Sequence, residues 1–263
     1  MCNIFSLHVF TKIWLFGFEA DKLALLKSNQ RDLQDIMNSS SNTLASQPTV
    51  AVATGSDYCQ AEEKANALSH ALGVVAGIIG LMLMLIKAPN HLSLVQITGV
   101  AIYGISIIAL FLASTLYHAS KSALWRKRYK MADHCAIYTL IAGTYTPMML
   151  ISLQSTQATV VLTAIWSLAL GGVIFKTLFI GRFKAFSVVL YLVMGWLCVT
   201  VIGDLNQQMS DLGLSLLLAG GLFYSLGVVF YVNKRIPFNH AIWHLFVLGG
   251  AVSHFLCIYL TVL

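Results

Sequence analysis

From Ser69 onward, seven stretches of the chain are each about 20 residues long and almost wholly apolar, and no other feature restricts the fold as much. A helix needs roughly 20 such residues to cross a hydrocarbon core of about 30 Å. The stretches fall at 69–87, 94–118, 133–152, 157–180, 185–203, 212–232 and 239–262. Each is far longer than a lipid-facing barrel strand, and over that length in lipid only a helix satisfies its own backbone N–H and C=O groups. The whole chain agrees, with 58% hydrophobic residues, 10% charged residues and a mean hydropathy of +0.78, values foreign to a soluble globular domain. The expected fold is all-α, a seven-transmembrane helix bundle.

Basic residues set the expected orientation, because short loops rich in Lys and Arg stay cytoplasmic. Lys121, Arg126, Lys127, Arg128 and Lys130 fall in the connection 119–132, Arg182 and Lys184 in the fourth, and Lys234 and Arg235 in the sixth. All three connections lie on one side. The opposite connections hold Lys87, the uncharged run from Ser152 to Thr156, and Asp204 with Asp211. This places the N-terminus in the cytoplasm and the C-terminus outside. The net charge of +6 then reflects orientation and contact with anionic headgroups, and gives no support to nucleic-acid binding.

The chain divides into an N-terminal extension and linker, 1–61, and a membrane domain, 62–263. Residues 38–57 are too polar to pack and read as a flexible linker. Met1 to Leu26 is apolar and aromatic, without the basic leader and cleavage site of a signal peptide. It reads as an interfacial helix carrying Trp14 and Phe16 or, the preferred reading, as an early start assignment with Met37 the true beginning. The five cysteines form no CxxC pair and read as small apolar fillers.

Polar residues inside spans are costly, so they are functional candidates by default. His240 and His244 stand four apart, which on a helix stacks them on one face about 6 Å apart and suits two imidazoles on one metal. His118 lies in the last turn of the second span, in the same layer. Three histidines without a fourth protein ligand leave a position for water, the arrangement of a catalytic zinc site. Asp133 opens the third span in that layer. It reads as a partner of a ligand histidine or of the water, as a general base, or simply as the N-cap of its helix. Ser114 sits one turn deeper than His118 on the same face.

Together Ser114-Thr-Leu-Tyr-His118, Asp133 and His240-Ala-Ile-Trp-His244 on seven spans resemble the hemolysin III proteins. These belong with the progestin and adiponectin receptors in one superfamily, itself related to the alkaline ceramidases. Glu63-Lys-Ala-Asn66-Ala-Leu-Ser-His70 and Gly143-Thr-Tyr-Thr-Pro147 extend the resemblance, which covers about 62–263. It implies zinc held by His118, His240 and His244, with Asp133 contacting the zinc's water and Ser114 nearby. The compact loops look like the bacterial branch, implying the bacterial inner membrane, a part in membrane homeostasis and no soluble hormone as partner.

Glu63, Asn66 and His70 share one helix face and are expected at the mouth of the site, or Glu63 and Asn66 are plain interfacial residues near the helix start. His134 points elsewhere on its helix. His254, about 15 Å along the helix from His244, suits a hydrogen bond between spans. Gly73 and Gly77 suggest close helix packing, and Pro147 a kink in the third span. The leading functional reading is an intramembrane zinc-dependent lipid amide or ester hydrolase, or a sensor descended from one, with a membrane lipid as substrate or ligand. A pore-forming cytolysin is the second reading, disfavoured because the polar groups gather near one face. A zinc-stabilised signalling module is the third, and a haem protein a distant fourth.

Overall fold

The computed structural model describes residues 58–88, 92–153, 155–179 and 183–263. Residues 1–57, with the linker, the aromatic start and Met37, lie outside the described residues. The helices are α1 (Gln60–Lys87), α2 (Leu94–Ala119), α3 (Ala123–Pro147), α4 (Thr156–Leu178), α5 (Lys184–Gly195), α6 (Ile202–Gln208), α7 (Asp211–Val232) and α8 (Asn239–Cys257). α3 and α8 each end in a π-helical turn, Met148–Leu153 and Ile258–Val262, and the 3-10 segment Trp196–Val201 joins α5 to α6. Among the described residues there are no strands, and seven helical units are long and apolar enough to cross a membrane.

Several starts are written in the sequence as caps. Ser93, Ser155 and Ser210 each accept a hydrogen bond from the backbone N–H three residues on, and Ser93 forms a full capping box with Gln96. The third span departs from its expected start at 133. α3 begins ten residues earlier, with Ser122 at the N-cap position, so Arg126 to Lys130 ride on its first turns rather than in a loop. The segment 123–132 is rich in Ala, Leu, Arg, Lys and Met and holds no Gly or Pro, so nothing in it stops a helix. Asp133 is therefore about three turns inside α3, which rules out the N-cap reading. α1 likewise starts at Gln60, ahead of its apolar run, with Cys59 Sγ accepting from Glu62 N. Asp204 belongs to α6, not to a loop.

Small residues set the helix spacing. A Cβ on Gly73 would sit 2.7 Å from the Phe111 ring, and one on Gly143 would sit 2.4 Å from Ser106 Oγ, so α1, α2 and α3 pack with backbones close. The α-helical pattern of α3 gives way to the π turn directly after Pro147, which has no N–H to donate. The break after α5 has its own support. Tyr145 Oη donates toward the carbonyls of Met194 (2.9 Å) and Gly195 (3.0 Å) and accepts from Cys198 N (2.8 Å). Outward-facing apolar side chains such as Ile86 and Leu94, more than 70% exposed, are the surface a bilayer covers.

Candidate metal centre

At the end of the bundle where α2 finishes and α3 and α8 begin, His118, His240 and His244 converge. All three are buried, and one ring nitrogen from each lies within 4.8 Å of the others, a cluster that could hold a metal ion. α8 delivers two of them on successive turns. Its start is set by Phe238, held at φ 55°, a left-handed conformation that costs a non-glycine residue about 1–2 kcal/mol. Asn239 steadies that turn by donating from Nδ2 to Phe230 O at 2.9 Å.

The donor set fits a metal. His118 Nδ1 donates to Glu63 Oε2 at 2.6 Å, which leaves Nε2 as the ring's lone pair, buried and without a hydrogen-bond partner among the described residues. His244 Nδ1 donates to Asn66 O at 3.2 Å and is fixed in the same tautomer. A carboxylate or carbonyl on the far nitrogen is the usual way a protein orients a ligand imidazole. Among the described residues, neither ring nitrogen of buried His240 has a hydrogen-bond partner. Tetrahedral coordination at about 2.0–2.1 Å puts ligand nitrogens about 3.3 Å apart, so the rings need to close by no more than about 1.5 Å.

The surroundings correct one expectation about α1. Glu63 does not line an open mouth: its carboxylate is buried between His118 and the guanidinium of Arg126, which donates to Glu63 Oε1. Asn66 is fully buried beneath His244, and His70 stacks on the His244 ring with centroids 3.6 Å apart and planes 10° from parallel. Sequence reasoning missed Arg126 because it had been assigned to a loop. It also missed Glu62, whose Oε1 accepts from His240 N at 3.3 Å. The three-to-four spacing of Glu63, Asn66 and His70 was the available signal.

Asp133 and Ser114 stand on the wall of the adjoining cavity rather than inside the histidine cluster. His134 Nδ1 donates back to Lys130 O at 2.6 Å, and lies 3.7 Å from Asp133 Oδ2. His254 Nε2 donates to Leu217 O at 3.2 Å, linking α8 to α7. The cavity encloses about 1320 Å³. It begins at His240 and His244, runs between α3, α5, α7 and α8, and reaches Met149, Leu205 and Leu214 at its other end. Most of its lining is apolar.

Residues 58–255 match the family described as haemolysin-III related. Hemolysin-3 of Bacillus cereus is 44% identical over 202 residues, covering 77% of this chain and 92% of that protein. A Hemolysin-3 homolog of Bacillus subtilis (strain 168) is 46% identical over 197 residues, with 75% and 92% covered. The Monocyte to macrophage differentiation factor of Homo sapiens is 35% identical over 207 residues, with 75% and 83% covered. With seven membrane-length helices and a three-histidine cluster at one end of a long cavity, the chain belongs to the haemolysin-III related family of multi-pass membrane proteins.

Proposed function

We propose that this protein is a zinc-dependent lipid amide or ester hydrolase, or a sensor built on the same site, acting in membrane homeostasis in a bacterial inner membrane. The observation that carries the reading is the histidine cluster at the head of an apolar cavity of about 1320 Å³. That volume exceeds the roughly 300–1,000 Å³ usual for small-molecule sites and suits acyl chains. By the positive-inside rule, the end bearing Arg126 to Lys130, Lys234 and Arg235 faces the cytoplasm, so the lipid comes from the inner leaflet.

His118, His240 and His244 would hold the zinc, which when bound would supply Lewis-acid chemistry to the scissile carbonyl and to water. The chain's residues do the rest. Glu63 and Asn66 O keep the His118 and His244 rings in the tautomer that offers Nε2. Asp133 holds the nucleophilic water and takes its proton, with Ser114 on the neighbouring turn of α2 orienting the carboxylate. The apolar walls hold the tails and keep bulk water from the scissile carbonyl. Hydrolysis adds the water's oxygen to that carbonyl and releases an amine or alcohol, which leaves with the proton.

The test is the metal content of detergent-purified protein, wild type beside His244→Ala, followed by a lipid-hydrolysis panel that includes Asp133→Asn. About one zinc per chain, lost in His244→Ala, is expected. Asp133→Asn should keep the zinc and lose turnover. Metal-free wild type from zinc-replete cells overturns the metal reading, and hydrolysis that survives removal of zinc overturns the catalytic one.

A further inference from the structure

α4 carries a lysine, Lys176, two residues before its end, and α5 carries Ser187 on its first turn. A lysine near the end of a membrane helix ordinarily extends outward along the helix to reach water. Lys176 does the opposite. It is only 5% exposed, and its Nζ donates to Ser187 Oγ at 3.2 Å in the wall of the same cavity that the histidines head. A buried ammonium inside a membrane-spanning bundle is expensive and marks a pathway or a ligand.

The rest of the cavity's charge points the same way. Four cationic residues line it, Lys130, Lys176, Lys234 and Arg235, against two acids, Glu62 and Asp133. Glu62 is engaged by the His240 backbone. The cations gather at the end where α4 finishes and α5 and α8 begin, and the apolar lining lies beyond them. This is how a lipid is arranged, head at one level and tails along the other. Building on the lipid reading above, we infer that the cavity selects an acyl amphiphile with an anionic headgroup, and that Lys176 with Ser187 is its anion-binding subsite. The specificity comes from the fixed ammonium, since the apolar lining treats chains of equal length alike.

Binding by native mass spectrometry of the zinc-loaded, detergent-purified protein tests this with two matched pairs of probes. Dioleoyl phosphatidate is compared with dioleoylglycerol, and oleate with oleyl alcohol. The expected result is that at least one anionic probe binds on the order of tenfold more tightly than its neutral partner. Which pair shows the preference tells a phosphate from a carboxylate. Lys176→Met should reduce the preference to about twofold or less, and Lys176→Arg should retain it. Zinc content is measured in each variant. Equal binding within both wild-type pairs overturns the anion subsite, as does a preference that survives Lys176→Met. If none of the four probes binds zinc-loaded protein, the lipid-cavity reading itself falls. The wild-type comparison needs no variant, so a Lys176→Met protein that fails to fold does not shelter the proposal.

Discussion

Glu63 joins two kinds of support that mutation can separate. One oxygen accepts from His118 Nδ1 at 2.6 Å, and the other accepts from Arg126. In Glu63→Gln the amide oxygen still accepts from the imidazole, so the ring keeps its direction and loses the negative charge behind it, while the amide NH2 takes the place of the oxygen that accepted from Arg126. Zinc affinity should fall about tenfold, or about 1.4 kcal/mol, the low end of what outer-sphere partners contribute. Glu63→Leu removes the acceptor as well, and the loss should approach about a hundredfold. It also takes away the carboxylate that pairs with Arg126, whose side chain is only 11% exposed, and breaking one side of a buried pair costs roughly 3–5 kcal/mol of folding stability. Arg126→Met added to Glu63→Leu removes the guanidinium that lost its carboxylate. The double variant should recover most of the thermal stability and none of the zinc affinity. The assays are competition for zinc against a chromophoric chelator and thermal unfolding in detergent. Should the double variant regain affinity together with stability, or should Glu63→Leu bind zinc like wild type, the carboxylate's part in orienting His118 is refuted.

Two further changes probe the scaffold. Tyr145→Phe removes the hydroxyl that serves Met194 O, Gly195 O and Cys198 N, and should cost about 1–3 kcal/mol while raising amide exchange across the 3-10 segment Trp196–Val201. Unchanged protection there would mean that the break is held by other contacts. Gly143→Ala puts a Cβ 2.4 Å from Ser106 Oγ and should destabilise by about 1–3 kcal/mol, lowering Tm by several degrees, and Ser106→Gly in the same chain should restore much of it. Additive losses in the pair would show that the clash is not with Ser106.

The seven helices could be read from apolar length alone, because in lipid the backbone has few alternatives. The meeting of His118, His240 and His244 could be read too, since helix spacing and depth in a span bring residues far apart in sequence to one level. What surrounds them could not. The partner of His118 is 55 residues away on α1, and no local pattern distinguishes a glutamate at a membrane interface from one turned inward onto an imidazole. Arg126 was lost to a boundary: hydropathy marks where the hydrocarbon ends, and α3 continues past that point because its basic residues are good helix formers. Lys176 is similar, because its position near the end of a span suggests an outward lysine and only packing shows it turned to Ser187.

These supports converge on one helix. None of the three histidines lies on α1, yet Glu63 orients His118, Asn66 O orients His244, and Glu62 holds the backbone of His240. All three come from the first two turns of α1, which lie ahead of its long apolar run. His240 depends on this region most. Its ring nitrogens have no hydrogen-bond partner among the described residues, and its position rests on the Glu62 contact, on the left-handed turn at Phe238 and on Tyr58, whose ring stacks on it at 4.8 Å just before α1 begins. Apolar burial along the rest of α1 holds the bundle, while its polar start ties α2 to α8 at the cluster. Damage to that start should therefore loosen the metal site before it loosens the fold, and the two functions of one helix are separated along its length.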